Sequence, residues 1–280
     1  MLILNTKEEI KNNIGPLKEG GKSVGFVPTM GALHEGHISL LKRAKEENEI
    51  VVCSIYVNPL QFNNKEDFAQ YPRLPEKDTI LLENAGCDIV FIPDDSIINK
   101  SPDFNYDLGY LDEIMEGYFR PDHFKGVAYI VKTFLEIVGP VRAYFGEKDY
   151  QQLTVVKKMT RDFNLPVEIV SCPTSREKDG LALSSRNARL TVPERQIAPK
   201  IYEGLIFIKN NIHNYNFDEL KLKFVNHIEH EQQMKVEYVE ICDSESLKIL
   251  SALSKSKCMV VCTAVFLGNV RLIDNVKIFS

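Results

Sequence analysis

Residues 50 to 57, Ile50-Val51-Val52-Cys53-Ser54-Ile55-Tyr56-Val57, form a nearly unbroken apolar, largely β-branched run. A strand that is apolar on both faces must be covered on both faces, which calls for a parallel sheet flanked by helices. The neighbouring sequence supplies those helices. Apolar positions at Ile38, Leu40, Leu41 and Ala44, with charges opposite, predict an amphipathic helix over 38–48. Residues 75–85 predict another, with Pro75 in its first turn and Gly86 just past its end. Short apolar strands are expected at 24–27 and 88–93, and a first helix running from Lys7 to about Gly15-Pro16. Strand and helix alternate at these spacings as stacked βαβ units do.

The middle of the chain repeats the pattern, with helices predicted over 126–138 and 150–163 and strands over 142–145 and 167–170. After residue 180 it changes. Helices are expected over 193–211 and 217–233, then strands over 236–241, 258–267 and 270–278, the last two joined by the turn pair Gly268-Asn269. The reading is therefore an α/β parallel-sheet domain over 1–183 and a smaller α+β domain over 184–280.

Composition excludes several classes. With 34 basic against 39 acidic residues and a net charge of -5, no basic field favours nucleic acid. Cys53, Cys87, Cys172, Cys242, Cys258 and Cys262 are scattered, with no C-x-x-C pair, as expected of thiols in a reducing compartment. No run nears the roughly 18 apolar residues of a membrane span, and the N-terminus lacks a leader pattern. A cytoplasmic protein without membrane or nucleic-acid partners is expected.

Chemistry gathers where strands hand over to helices. Residues 27–37, Val27-Pro28-Thr29-Met30-Gly31-Ala32-Leu33-His34-Glu35-Gly36-His37, run from a strand through a glycine turn into a helix start. Such a junction directs backbone N–H groups and the positive end of a helix dipole at one point, which suits a phosphate. His34 and His37 can add imidazole contacts there, although a polar loop with two solvated histidines uses the same residues. A helical zinc motif needs histidines four apart, whereas these are three apart around Gly36.

Asn58 and Gln61 follow the buried strand and can offer amides to a small polar ligand or cap a turn. Tyr71-Pro72-Arg73 is equally open, and Asp78 reads as a solvated helix residue or as a water-mediated metal ligand. Gly146-Glu147-Lys148-Asp149 stands at a second strand-to-helix junction, where a lysine can reach polyphosphate and Gln151-Gln152 opens the next helix. Leu183-Ser184-Ser185-Arg186-Asn187 offers two hydroxyls and a guanidinium, either as a phosphate clamp closing with domain motion or as ordinary linker.

Taken in order, Pro28 to His37, Val57-Asn58-Pro59-Leu60-Gln61-Phe62, Tyr71-Pro72-Arg73, residues 145–153 and residues 179–187 resemble the pantothenate synthetase (pantoate-beta-alanine ligase) family. The likeness is strong over residues 20–190 and extends to the C-terminal part only in size and layout. It implies a Rossmann-like sheet of the nucleotidyltransferase (HxGH) type with a C-terminal lid domain. It also implies condensation of pantoate with β-alanine through pantoyl adenylate, releasing AMP and pyrophosphate. ATP would lie along Met30, Gly31, Ala32, Leu33, His34, Glu35, Gly36 and His37, against Gly146, Glu147, Lys148 and Asp149, near Ser175, and against Leu183, Ser184, Ser185 and Arg186. Gln61, Gln152 and Asn58 would hold pantoate, Gln61 also β-alanine, and His37, His34 and Lys148 would be catalytic, His37 as proton donor. Mg²⁺ on the phosphates and a homodimer are further implications.

Two departures stand out: Asp122 where the family usually has glycine, and Tyr129 within an altered run; Ser175 also replaces a usual apolar residue. The alternatives are a nucleotidylyltransferase acting on a phosphorylated acceptor, which the uncharged amides of Gln61 and Gln152 disfavour, and a nucleotide-sensing module without turnover.

Overall fold

The apolar run at 50–57 is a strand, Ile50–Ile55, in which every residue after the first is buried. The computed structural model describes residues 1–63, 65–97, 104–253 and 258–279. Contacts divide the chain into two units, one of Met1–Glu147 with Val155–Pro173 and one of Lys148–Thr154 with Thr174–Ser280. That division falls earlier than residue 183 and gives 148–154 to the second unit.

The first unit is built on six strands: β1 (Leu2–Leu4), β2 (Val24–Thr29), β3 (Ile50–Ile55), β4 (Ile89–Phe91), β5 (Arg142–Gly146) and β6 (Glu168–Cys172). Their order is β1-β4-β3-β2-β5-β6, and every neighbouring pair is parallel. From β2 the chain proceeds to β3 on one side, while β5 proceeds to β6 on the other. The carboxyl ends of β2 and β5 thus flank the point where strand order reverses, the position at which open parallel sheets bind ligands. Pro28 is accommodated because β5 pairs only with Gly25 and Phe26, so the missing N–H costs no rung there.

The helices of this unit include α1 (Lys7–Glu19), α2 (Glu35–Glu47), α3 (Lys65–Gln70), α4 (Pro75–Asn84), α5 (Met115–Phe119) and α6 (His123–Val138). Val27, Val51, Val90 and Tyr144 of the sheet share a core with Leu40, Leu41 and Ala44 of α2 and Leu82 of α4. Burying each large side chain of this kind is worth about 1.5–3 kcal/mol. The expectation that α1 ends at Gly15-Pro16 is overturned: it runs to Glu19 with Pro16 inside and exposed. The lost hydrogen bond is outweighed by burial of Ile10 and Ile14 and by a capping box between Thr6 and Glu9.

The second unit carries an antiparallel sheet with β7 (Met234–Asp243), β8 (Cys258–Leu267) and β9 (Val270–Phe279), in that order. Its helix α7 (Tyr150–Asp162) is shared with the first unit, and α8 (Val192–Ile197), α9 (Lys200–Asn210) and α10 (Phe217–Glu229) are its own. The single helix expected over 193–211 is two, broken at Ala198-Pro199 because proline has no N–H to continue the ladder. Ile201, Leu205, Ile208, Leu220, Phe224 and Ile228 of α9 and α10 are buried with Ile241, Val261 and Val265 of the sheet. No helix among the described residues is long and apolar enough to cross a membrane.

Candidate active site

The turn after β2 is shaped by two residues in the left-handed region, Gly31 at φ +76° and Ala32 at φ +49°. A non-glycine residue there needs support from its surroundings. Asp78 of α4 supplies it, its two carboxylate oxygens accepting Ala32 N–H and Leu33 N–H, each at 2.8 Å. Asp78 is therefore buried, and the solvated reading is overturned. A Cβ at Gly31 would stand 2.9 Å from Asp78 Oδ2, so glycine is what lets the carboxylate come this close. Thr29 fixes the start of the turn, donating to Ser54 O at 2.6 Å and accepting Gly31 N–H at 3.2 Å.

His34 is the N-cap of α2, so Glu35, Gly36 and His37 form its first turn rather than a loop. Gly36 N–H donates to His34 Nδ1 at 3.1 Å and His34 N–H donates to His37 Nδ1 at 3.4 Å. The two rings lie 4.2 Å apart. With each Nδ1 accepting from backbone, the proton of each neutral imidazole sits on Nε2. A helix N-terminus carrying two Nε2–H groups is a donor array suited to anionic oxygens.

Gln61 is brought to the same turn, its Nε2 donating to Met30 Sδ at 2.8 Å and its Oε1 accepting from Asn58 Nδ2 at 3.2 Å. Asn58 also donates to Gly126 O at 3.0 Å and caps residues 59–61 by accepting Leu60 N–H at 3.2 Å. Its amide thus acts on Gln61 and the turn. From the start of α6 and the residues before it, Arg120 Nη2 and His123 Nδ1 donate to Gln61 O at 3.3 and 2.7 Å. Gly126 permits this packing, since a Cβ there would collide with the Leu60 carbonyl. Gly146 is the last residue of β5, beside β2, and Glu147 follows it.

Asp122 takes the left-handed conformation at φ +64°, just before α6, and pairs with Lys125 at 3.1 Å. Its carboxylate is exposed, so the departure from glycine is a matter of backbone conformation at a helix start. Tyr129 packs edge-on against Phe104 with ring centres 5.3 Å apart.

The second unit carries Lys148, Asp149, Gln152, Ser175 and residues 183–186. Lys148 lies in the turn Glu147–Asp149 with its ammonium 3.7 Å from Asp149. Leu183 N–H donates to Ser175 O at 2.9 Å, tying these two segments together. Ser184 caps Ser185–Arg189 by accepting Arg186 N–H at 3.2 Å, and Asn187 donates to Ala182 O at 3.0 Å, so the segment is an ordered turn. Within this unit Arg176 and Asp274 form a two-pronged ion pair at 2.7 and 2.8 Å. Burial pushes the Asp274 carboxyl above the usual carboxylate range, and the Arg176 guanidinium opposes that shift. Sequence reading missed this pair, Arg120 and His123, and did not foresee that Asp78 holds the turn after β2. Among the described residues no group of three or more His, Cys, Asp or Glu side chains is placed to hold a metal.

Fold and turn together define a class: a parallel α/β protein with an imidazole-bearing helix N-terminus at the switch point of its sheet, equipped to bind phosphates. Comparison with known proteins narrows it. A model of the pantoate-beta-alanine ligase family matches residues 2–277. The chain is 42% identical over 281 residues to the pantothenate synthetase of Cytophaga hutchinsonii, covering 99% of each. To that of Bacteroides fragilis it is 45% identical over 279 residues, again covering 99% of each. The crystal structure of pantothenate synthetase from Thermus thermophilus aligns over 100% of both chains with a TM-score of 0.91 at 39% identity. The pantoate-beta-alanine ligase from Francisella tularensis, complexed with beta-gamma ATP and beta-alanine, aligns over 99% of this chain and 97% of its own with a TM-score of 0.80 at 37% identity. The chain belongs to the pantoate-beta-alanine ligase family.

Proposed function

We infer that the protein condenses pantoate with β-alanine at the expense of ATP, through pantoyl adenylate. The pantoate carboxylate attacks the α-phosphorus and pyrophosphate leaves; the β-alanine amine then attacks the acyl carbon, and AMP leaves. The observation that carries this is the pair of imidazoles at the mouth of α2, each accepting backbone N–H at Nδ1 and so presenting Nε2–H as a donor. The first step transfers no proton in its overall balance, so neutral Nε2–H groups suffice to stabilise the charge that builds on phosphate oxygens. His37 and His34 take that role, His37 as the family's proton donor acting here through a hydrogen bond, and Lys148 adds a positive charge.

Met30, Gly31, Ala32, Leu33, Glu35 and Gly36 lie along the nucleotide, with the N–H groups of Gly31, Ala32, Leu33 and Gly36 committed to Thr29, Asp78 and His34, and Gly146, Glu147, Asp149, Ser175, Leu183, Ser184, Ser185 and Arg186 complete its contacts. Gln61 and Gln152 hold pantoate through uncharged amides, Gln61 also meets β-alanine, and Asn58 positions Gln61. Such amides are a poor match for a phosphorylated acceptor, which counts against a nucleotidylyltransferase. Mg²⁺ arrives on the ATP phosphates as part of the substrate. The protein works as a homodimer in the cytoplasm; light scattering near the 31.9 kDa of one chain would overturn the dimer.

Incubation with ATP, Mg²⁺, pantoate and β-alanine, each omitted in turn, tests the reading through AMP release. AMP in quantity only with all four supports it; none above background with all four present overturns it. Gln61→Ala is expected to raise the pantoate KM while the ATP KM stays within about twofold. An equal rise in both would remove Gln61 from the pantoate site.

A further inference from the structure

The ion pair of the second unit, with Asp274 buried and Arg176 partly buried, has no part in the chemistry above, and an ion pair of this kind adds little net stability over an apolar replacement. Its contribution is better sought in what it holds. Arg176 Nη1 donates to Gly180 O at 3.0 Å as well as to Asp274, and Nη2 donates to Asn275 O at 3.0 Å. Asp274 Oδ1 in turn accepts Asn275 N–H at 2.8 Å. The backbone of Asn275 is therefore gripped at its N–H by one member of the pair and at its carbonyl by the other. The guanidinium lies flat against a third surface, the Tyr202 ring, 3.8 Å from its centre. From this fixed base the Asn275 side chain donates to Lys148 O at 2.9 Å.

Lysine is a flexible arm, and its charge is placed accurately only if its backbone is held. We propose that Asn275, locked by the Arg176–Asp274 pair, is a positioning residue for Lys148 in the adenylation step. The proposal rests on the role given to Lys148 above. The same pair acts on a second nucleotide segment, because Arg176 directly follows Ser175 and bridges to Ala182, next to the Leu183–Ser175 hydrogen bond. One buried pair thus anchors Lys148, Ser175 and Leu183.

The test is a double-mutant cycle on pantoate-dependent ATP–pyrophosphate exchange, with Asn275→Ala and Lys148→Ala made singly and together. Rates are expressed per active site, counted from the pantoyl adenylate formed in one turnover without β-alanine. Asn275→Ala should lower kcat about tenfold and leave the pantoate KM within about twofold. In the Lys148→Ala background it should cost nothing further, because it acts through the lysine. Multiplied losses in the double variant would overturn the proposal while leaving Lys148 in its role. If Lys148→Ala alone is harmless, the lysine reading fails and this inference falls with it. Should Asn275→Ala fold poorly, Asn275→Ser, whose hydroxyl is too short to reach the carbonyl, should show the same tenfold loss per active site; a wild-type rate would overturn the proposal.

Discussion

The turn at 29–37 and the segment around Lys148 are both proposed to meet ATP, yet they are held by different physics. In the first, a turn with Ala32 strained into the left-handed region is secured by one carboxylate, Asp78, bonding to the neutral N–H groups of Ala32 and Leu33, and the rest of the support is local. In the second, the support is a largely buried charge pair, Asp274 buried and Arg176 partly so, that reaches its target through an asparagine. A carboxylate on amides satisfies donors that would otherwise be orphaned, whereas a buried ion pair is secure only while both members are present. The second region should therefore be the more brittle of the two.

Arg176→Met provides the harshest test of that difference. It leaves Asp274 buried without its partner and should cost about 3–5 kcal/mol in urea unfolding. Adding Asp274→Leu should recover most of the loss; a double variant as unstable as the single would show that shape rather than charge is what matters there. His37→Ala comes next. The loss of one donor to the developing charge should lower pantoate-dependent exchange by about 10²–10³-fold, or roughly 2.7–4 kcal/mol of barrier. A loss within about threefold, under roughly 1 kcal/mol, would remove His37 from the chemistry.

Asp78→Asn turns one acceptor into a donor facing an N–H group, and a stability loss of about 1–3 kcal/mol is expected. Exchange activity per folded molecule should fall as well, because the N-cap that aims both imidazoles follows directly from this turn. If stability falls and activity per active site does not, Asp78 supports the fold without shaping the site. The smallest effect is a gain. Asp122→Gly removes a side chain from a left-handed backbone and should stabilise the protein by up to about 1 kcal/mol, offset in part by the loss of the exposed Lys125 pair. A melting temperature that drops instead would mean that the ion pair outweighs the strain.

What could be read in the sequence follows the range of the interactions. The double-sided burial of β3 and the strand-glycine-helix character of residues 27–37 are written in adjacent residues, and the structure has both. Pro16 misled because an exposed proline loses a hydrogen bond but does not clash with the buried stripe of α1, whereas Pro199 does divide its helix. Asp78 lies 46 residues from the turn it holds, and on α4 it looks like any charged helix residue. Arg176 and Asp274 are 98 residues apart, and nothing local marks either as one half of a pair. His123 and Arg120 escaped notice for the same reason, their target being a backbone carbonyl about 60 residues earlier.

Formation of pantoyl adenylate requires that pantoate be activated through its own carboxylate oxygen. Pantoate labelled with ¹⁸O in its carboxylate, incubated with ATP, Mg²⁺ and β-alanine, should deliver one labelled oxygen to AMP and none to pyrophosphate. Label in pyrophosphate or inorganic phosphate, or AMP formed without it, would contradict attack on the α-phosphorus and with it the adenylate.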